Sequence, residues 1–157
     1  MCSPIDHMRE AIAYSSEQMH AVGAAPFAAV VVKDGKVIGK GVNQVVTRHD
    51  PTSHGEIEAI RDACRKLGTW DLSGCDLYTT CEPCELCVAA IHWSRISRLF
   101  YANTLADCEP IGLDLAGLRA TVRQALHARA LPTEQLLHDE AFAVVQEWLG
   151  SETVKRF

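Results

Sequence analysis

The sequence predicts a three-layer α/β domain in which helices cover both sides of a central mixed sheet. Helical spacing of apolar residues alternates with short β-branched runs in the order α, ββ, α, β, α, β, followed by further helices. The chain has 157 residues, of which 48% are hydrophobic and 22% are charged. This length and composition suit a single globular domain spanning residues 1–157 and exclude a disordered, collagen-like or coiled-coil chain.

The first predicted elements are a helix and a β-hairpin. Apolar residues recur at helical spacing from about Asp6 to Val22, and Gly23 ends that helix. Residues 27–32 and 37–42 are apolar runs typical of strands. The Asp-Gly pair at residues 34–35 predicts the tight turn between them.

The middle of the chain alternates helix and strand. Residues 45–53 are polar and predict a loop, after which helical spacing resumes and ends at Gly68. A strand is predicted over residues 75–80 and a helix over residues 84–93. A further short strand follows at residues 98–102.

The C-terminal part is less regular. Residues 103–117 carry Pro and Gly and predict a loop beside the functional site. Two amphipathic helices are predicted over residues 118–130 and 133–149, with Pro132 between them. A short strand around Leu131 is the open alternative in this region.

Charge and cysteine content narrow the function classes. The formal net charge is −5, which argues against a protein that wraps phosphate backbones and makes a nucleic acid partner an unfavoured alternative. Residues 1–25 contain several charges where a signal peptide would be apolar, and no apolar run is long enough to cross a bilayer, so we expect a cytoplasmic protein without a membrane partner. Seven cysteines in a reducing compartment do not indicate a disulfide framework.

Two short motifs carry the candidate chemistry, His54-Gly55-Glu56 and Pro83-Cys84-Glu85-Leu86-Cys87. Each lies at the predicted start of a helix, and a right-handed crossover would bring both helix N-termini to the same end of the sheet. Cys84 and Cys87 would then offer thiolates in a first helical turn and His54 an imidazole, which leaves the fourth position of a tetrahedral zinc site for water. Glu56 would be the carboxylate that moves protons beside that water. Cys81 is better explained as a buried thiol than as a fourth ligand.

His-x-Glu followed by Pro-Cys-x-x-Cys is the signature of zinc nucleobase deaminases. Over about residues 8–115 the chain resembles the cytidine deaminase-like superfamily, and within it the bacterial guanine deaminases and plant guanosine-deaminating relatives. The matching segments are, in order, residues 26–30, 41–43, 50–56, 80–84 and 90–95.

The resemblance implies a cytidine deaminase-like fold with about five strands, one Zn²⁺ per subunit on His54, Cys84 and Cys87, and Glu56 as proton shuttle. The implied enzyme is a hydrolase of the C–N bond of a cyclic amidine that attacks an amino-bearing ring carbon of a free base or nucleoside, guanine-like, and releases ammonia. It also implies a homodimer, in which the C-terminal helix and a tail ending at Phe157 reach a neighbouring subunit.

Substrate contacts are also implied by the resemblance. Asn43 matches a position that hydrogen-bonds the base and Phe27 one whose ring packs on it, while Trp93 belongs to a stretch similar to the guanine branch. Asp114 matches the first Asp of a pair in the guanine enzymes, and it is equally suited to capping a helix. Leu115 replaces the second Asp, which is tied to guanine handling.

Two other functions stay open at this stage. The same chemistry on a flipped base would make the protein a tRNA-specific adenosine deaminase, and another small aminated heterocycle such as cytosine, cytidine or an aminotriazine is an alternative free substrate. A zinc-stabilised interaction module is the non-enzymatic alternative, and it requires four protein ligands with no open position.

Overall fold

The computed structural model describes residues 3–112 and 114–152. It contains a four-stranded mixed sheet in the order β2-β1-β3-β4. The strands are β1 (Ala25–Lys33), β2 (Lys36–Asn43), β3 (Asp76–Cys81) and β4 (Arg98–Asn103). β1 pairs antiparallel with both β2 and β3, whereas β3 and β4 are parallel.

Six α-helices accompany the sheet in the described part of the chain. They are α1 (Pro4–Val22), α2 (Val45–Arg48), α3 (Gly55–Leu67), α4 (Glu85–Trp93), α5 (Leu115–Arg123) and α6 (His138–Gly150). Short 3-10 turns cover Ala106–Ile111 and Leu126–Ala128. The α/β prediction is therefore confirmed.

Successive side chains of β1 point to opposite faces of the sheet, and a helical layer covers each face. Ala29 and Val31 pack on one face of the sheet with α3 and α4, while Val30 and Val32 pack on the other face with α1. Because residues 28–32 of β1 are buried on both faces, this part of the strand is continuously apolar rather than alternating. Since α3 and α4 share one core cluster, both cover the same face, as the crossover rule predicted.

Local signals fix the element ends well in the first half of the chain. Ser3 and Asp6 form a reciprocal capping box at the start of α1, and Gly23 ends it in the left-handed region. Asp34 and Gly35 both have positive φ, as the two-residue turn of the hairpin requires. Gly68 ends α3 in the same left-handed way as Gly23 ends α1.

The prediction of about five strands is wrong for the described residues, which contain four strands. The residues around Leu131 are exposed and irregular, and Pro132 lacks the N–H that a paired strand would use. In the described part of the chain, β4 is consequently an edge strand of the sheet, as β2 is on the other side.

The other differences are at element boundaries. α5 begins at Leu115 because Asp114 caps it, three residues before the predicted start, and it ends at Arg123. α6 begins at His138 rather than at residue 133. The predicted loop over residues 45–53 contains the one-turn helix α2.

The chain divides into two compact units, Met1–Arg119 and Ala120–Phe157. The first unit contains the whole sheet and α1–α4. In the second, no described side chain is buried. The single domain expected for residues 1–157 stays a prediction.

Among the described residues, no helix is both long enough and apolar enough to cross a membrane. The cytoplasmic location expected from the sequence stays a prediction.

Glycine allows α3 to lie directly on β2. A Cβ added at Gly41 would overlap backbone atoms of Ala59 and Gly55, both in α3. A Cβ added at Gly39 would be 2.5 Å from the carbonyl oxygen of Ala59. Because these contacts are to backbone, no rotation of a side chain relieves them. This close approach fixes the position of the first turn of α3.

We expect Gly41→Ala to lower the free energy of unfolding by about 1–3 kcal/mol, because the added methyl group forces α3 away from the sheet. Urea unfolding followed by circular dichroism measures the change. Gly150→Ala is the matched control, since a Cβ there has no neighbour within 4 Å. Equal stability of the Gly41→Ala variant and the wild type would contradict the close-packing argument.

Candidate metal centre and adjoining cavity

The starts of α3 and α4 supply the chemistry-bearing residues. His54 is the N-cap residue of α3 and Cys84 that of α4, and neither side chain hydrogen-bonds the backbone of its own helix. Ser, Thr, Asp or Asn would normally provide that bond. Both caps therefore direct their side chains elsewhere, while the positive end of each helix remains available to stabilise a negative group.

His54, Cys84 and Cys87 form the group of metal-ligating side chains in the described part of the chain. Nδ1 of His54 is 3.6 Å from Sγ of Cys84 and 3.4 Å from Sγ of Cys87, and the two sulfur atoms are 3.8 Å apart. A tetrahedral zinc ion with Zn–S of about 2.3 Å and Zn–N of about 2.05 Å places its ligands about 3.8 Å (S···S) and about 3.6 Å (S···N) apart. The three side chains therefore fit one zinc ion.

The side chains of His54, Cys84 and Cys87, called the triad below, differ in their protonation. Hydrogen bonding with Cys87, and next with His54, lowers the pKa of Cys84 to about 4. The pKa of Cys87 is raised, first by its hydrogen bond with Cys84 and then by burial. The hydrogen bond with Cys84 raises the pKa of His54. The triad thus already stabilises one thiolate, the form in which cysteine binds metal.

Glu56 lies in the first turn of α3, two residues after His54, and lines the same cavity as His54 and Cys84. The side chain is buried, and burial raises the pKa of its carboxyl group, while a hydrogen bond from Cys87 opposes that rise. A carboxyl group with a raised pKa is a suitable proton acceptor and donor, because its pKa is closer to neutral pH than that of an exposed carboxyl group.

A cavity of about 310 Å³ opens beside the triad. This volume lies at the lower end of the range of about 300–1,000 Å³ usual for small-molecule sites. The lining side chains are mostly apolar and come from several elements: Ala25, Phe27, Asn43, Val45, Val46, His54, Glu56, Cys81, Glu82, Cys84, Leu105, Cys108, Ile111 and Leu115.

Phe27 and Asn43, both expected from the sequence to contact substrate, line this cavity. The register of β1 against β2 shifts between Ala25 and Ala28, and this irregularity places Phe27 at the cavity rather than in the ladder. Oδ1 of Asn43 accepts the Val45 N–H at 3.2 Å, so the amide NH₂ is the part of Asn43 that can donate to a ligand.

Trp93 and Asp114 are not among the side chains that line this cavity. Trp93 is the last residue of α4 and is 69% exposed, about 13 Å along the helix from Cys84. Oδ1 of Asp114 accepts the Gly117 N–H at 2.8 Å, which is the capping role weighed from the sequence. For both residues, substrate contact stays a prediction.

The structure adds cavity residues that the sequence patterns did not indicate. Cys108 lies in the 3-10 turn Ala106–Ile111, with its sulfur 3.0 Å from that of Cys81. No spacing rule connects residues 27 positions apart across an irregular segment.

Gly55 has a packing role that the motif does not indicate, since a Cβ there would be 2.5 Å from the carbonyl oxygen of Phe27. Gly55 thus lets α3 begin against the bulged part of β1.

The part of the chain that carries the two motifs matches a known protein family. Residues 2–103 match the model of the cytidine and deoxycytidylate deaminase zinc-binding region. The guanine deaminase of Bacillus subtilis is 37% identical over 150 residues, which cover 96% of each chain. The tRNA-specific adenosine deaminase of Aquifex aeolicus is 45% identical, but over 80 residues that cover 51% of this chain and 53% of the relative.

Solved structures agree with this result. The crystal structure of the Bacillus subtilis guanine deaminase superposes with a TM-score of 0.93 at 35% identity and covers 99% of both chains. The guanine deaminase of Nitrosomonas europaea gives a TM-score of 0.69 at 32% identity, over 94% of this chain and 85% of the other. The predicted cytidine deaminase-like fold is therefore confirmed, apart from the number of strands.

We expect Cys87→Ala to lose most of its bound zinc, because two of the three donor atoms hold the ion far less tightly than three. Atomic absorption of the purified protein gives the zinc content per chain. The matched control is Cys81→Ala, which removes a nearby buried thiol outside the triad and should keep about one zinc. Loss of zinc from the control variant alone would contradict the proposed ligand set.

Proposed function

Because this chain belongs to the zinc-binding cytidine and deoxycytidylate deaminase family, we propose that it deaminates a guanine-like base by hydrolysis and releases ammonia. The observation that carries this proposal is the His54, Cys84 and Cys87 triad, whose spacing fits zinc at the wall of a small apolar cavity. A guanine deaminase at 37% identity over nearly the whole length supports the substrate class. The implied reaction breaks the C–N bond of a cyclic amidine.

In this proposal the chain contributes the proton transfers and the orientation of the base. Zinc bound by the triad would supply a Lewis acid, which lowers the pKa of a coordinated water to about 7. The Glu56 carboxylate accepts a proton from the attacking water and passes it to a ring nitrogen. It then takes the remaining proton of the oxygen now bonded to the ring carbon and delivers it to the departing amine, so that the C–N bond breaks and a ring carbonyl and ammonia are left. Because Glu56 is buried, bulk water competes little for these protons.

The remaining cavity residues orient a flat base. The NH₂ group of Asn43 can donate to a ring carbonyl or ring nitrogen, and the ring of Phe27 offers an apolar surface for stacking. Leu115 lies in the cavity lining, so the position where the guanine enzymes carry an Asp is apolar here. The substrate must therefore satisfy its remaining polar groups through other partners or keep them in water.

Editing of tRNA is supported less well. The identity with the Aquifex tRNA-specific adenosine deaminase is confined to about half of the chain, whereas the identity with the guanine deaminase extends over 96%. The net charge of −5 also disfavours an extended contact with phosphates. A free base or nucleoside fits the small cavity better.

We expect the zinc-loaded protein to release ammonia from guanine or a closely related amino-purine in a panel that includes guanosine, adenine, cytosine, cytidine and an aminotriazine. An enzyme-coupled ammonia assay measures turnover on each compound. Turnover of cytosine or cytidine alone would refute the guanine-like substrate but would still support a deamination reaction. No ammonia from any compound would refute the proposed reaction.

We expect Glu56→Gln to keep its zinc and to lose turnover by about 100- to 10,000-fold, because the amide cannot accept the proton of the water. Zinc content and ammonia release are measured on the same preparation. Glu58→Gln is the matched control two residues along α3, because Glu58 does not line the cavity beside the triad. Normal turnover of Glu56→Gln would remove Glu56 from the mechanism.

We also propose that the protein acts as a homodimer in which α6 contacts the partner subunit. Phe142, Val145 and Leu149 recur at i, i+3 and i+7 on one face of α6, and all three are about half exposed. An isolated helix of 13 residues is marginal in water, so α6 needs an apolar surface to cover that face. The tail ending at Phe157 lies outside the described residues.

We expect Val145→Asp to shift the protein from dimer towards monomer at micromolar concentration, because a charge is introduced into the apolar face of α6. Sedimentation velocity reports the change. Val144→Asp is the matched control, since Val144 lies on the opposite face of α6 and is 65% exposed. A monomeric wild type, or a dimer unaffected by Val145→Asp, would contradict this arrangement.

A further inference from the structure

A second pair of cysteines lies in the wall of the same cavity, apart from the metal triad. Cys81 ends β3 and Cys108 lies in the 3-10 turn Ala106–Ile111. Their sulfur atoms are 3.0 Å apart, and both residues are buried, at 7% and 6% exposure. Both line the cavity beside Glu56 and Cys84, so a small molecule in the cavity can reach them.

The two sulfur atoms are close enough to be joined without rebuilding the fold. A disulfide needs a sulfur separation of about 2.05 Å, so the atoms have about 1 Å to travel. The segment that carries Cys108 is also connected to the end of β3 by polar contacts. Glu82 accepts the Leu105 N–H at 3.1 Å, and the Thr104 carbonyl lies 3.9 Å from the Cys81 thiol.

We propose that Cys81 and Cys108 are a modification site, an oxidisable dithiol whose disulfide fixes the wall of the cavity against β3 and reversibly slows turnover. The chemical class of the modifying reagent is a small hydroperoxide. Ordinary packing of two cysteines as small apolar residues is the competing explanation. In that case a thiol hydrogen bond accounts for the sulfur-to-sulfur contact, and peroxide produces no link between the two residues.

The oxidation balances with hydrogen peroxide as the two-electron oxidant. Cys108 attacks one peroxide oxygen, the O–O bond breaks, and one water leaves as the sulfur becomes a sulfenic acid. Cys81 then attacks that sulfur, the S–O bond breaks, and a second water leaves as the disulfide forms. Burial, and next the contact with Cys108, raises the pKa of Cys81 to about 12, so Cys108 is assigned the first attack on the peroxide.

The disulfide would act through the shape of the cavity. Leu105 and Ile111 flank Cys108 and line the cavity with it, so drawing Cys108 towards β3 shifts this wall relative to Glu56. The zinc ligands are not needed for the link, because Cys84 and Cys87 form a separate cluster. Zinc should therefore stay bound while the link forms.

The test treats the zinc-loaded full chain with hydrogen peroxide and quenches it with a thiol-blocking reagent. Digestion without reductant followed by mass spectrometry should show a peptide linking Cys81 to Cys108, with two hydrogens lost. Zinc content should not change. Turnover should fall about tenfold or more, because displacements of about 1 Å near reacting groups cost up to about 100-fold, and dithiothreitol should restore it.

Two variants separate this pair from other thiols. Cys108→Ala should show no link and the same turnover before and after peroxide, whatever its basal value. Cys64→Ala removes a thiol that does not line the cavity and should respond as the wild type does. Free thiols at Cys81 and Cys108 after treatment, or zinc release as the first event, would overturn the proposal.

The activity measurement rests on the proposed deamination, whereas the mass measurement does not. If the reduced protein turns over no base, the linked peptide still decides whether the modification site exists. If the linked peptide forms and turnover is unchanged, the site is retained and its effect on the reaction is refuted.

Discussion

The candidate site depends on the packing of α3 and α4 on one face of the sheet. Ala29, Val31 and Leu77 of the sheet share a core with residues of both helices, which fixes the two helix starts at one end of the domain. Without that packing, His54 and Cys84 would be 30 residues apart in sequence with no reason to meet. Glycine in β2 supports the arrangement, since larger residues at Gly39 or Gly41 would collide with the backbone of α3.

The same packing determines the electrostatics. Glu56 is buried because the first turn of α3 lies against β1, and burial raises the pKa of its carboxyl group. Cys84 lies at the start of α4, where hydrogen bonding with Cys87 and His54 lowers the pKa of its thiol. The triad therefore holds a thiolate at Cys84, and beside it lies the Glu56 carboxyl group, whose pKa is above its ordinary value. This combination suits a metal site that also transfers protons.

Sequence patterns predicted the first two-thirds of the fold well because local rules operate there. The Asp34-Gly35 turn, the left-handed Gly23 and Gly68, and the apolar β1 each have one favourable local structure. The C-terminal part was predicted less well because its helices, α5 and α6, bury no side chain in the described chain. A fifth strand was expected by resemblance, and the residues near Leu131 do not form one.

The sequence already indicates the metal site, because His54, Cys84 and Cys87 stand at spacings that helix starts convert directly into a cluster, with Glu56 two residues after His54. It also placed Asn43 and Phe27 at the site through resemblance. Which residues share the cavity follows from tertiary packing, which brings Cys108 to Cys81, adds Leu115 to the lining, and leaves Trp93 on an exposed helix end. Contacts within a helical turn are encoded locally, whereas the cavity wall depends on how an irregular segment packs against the end of β3.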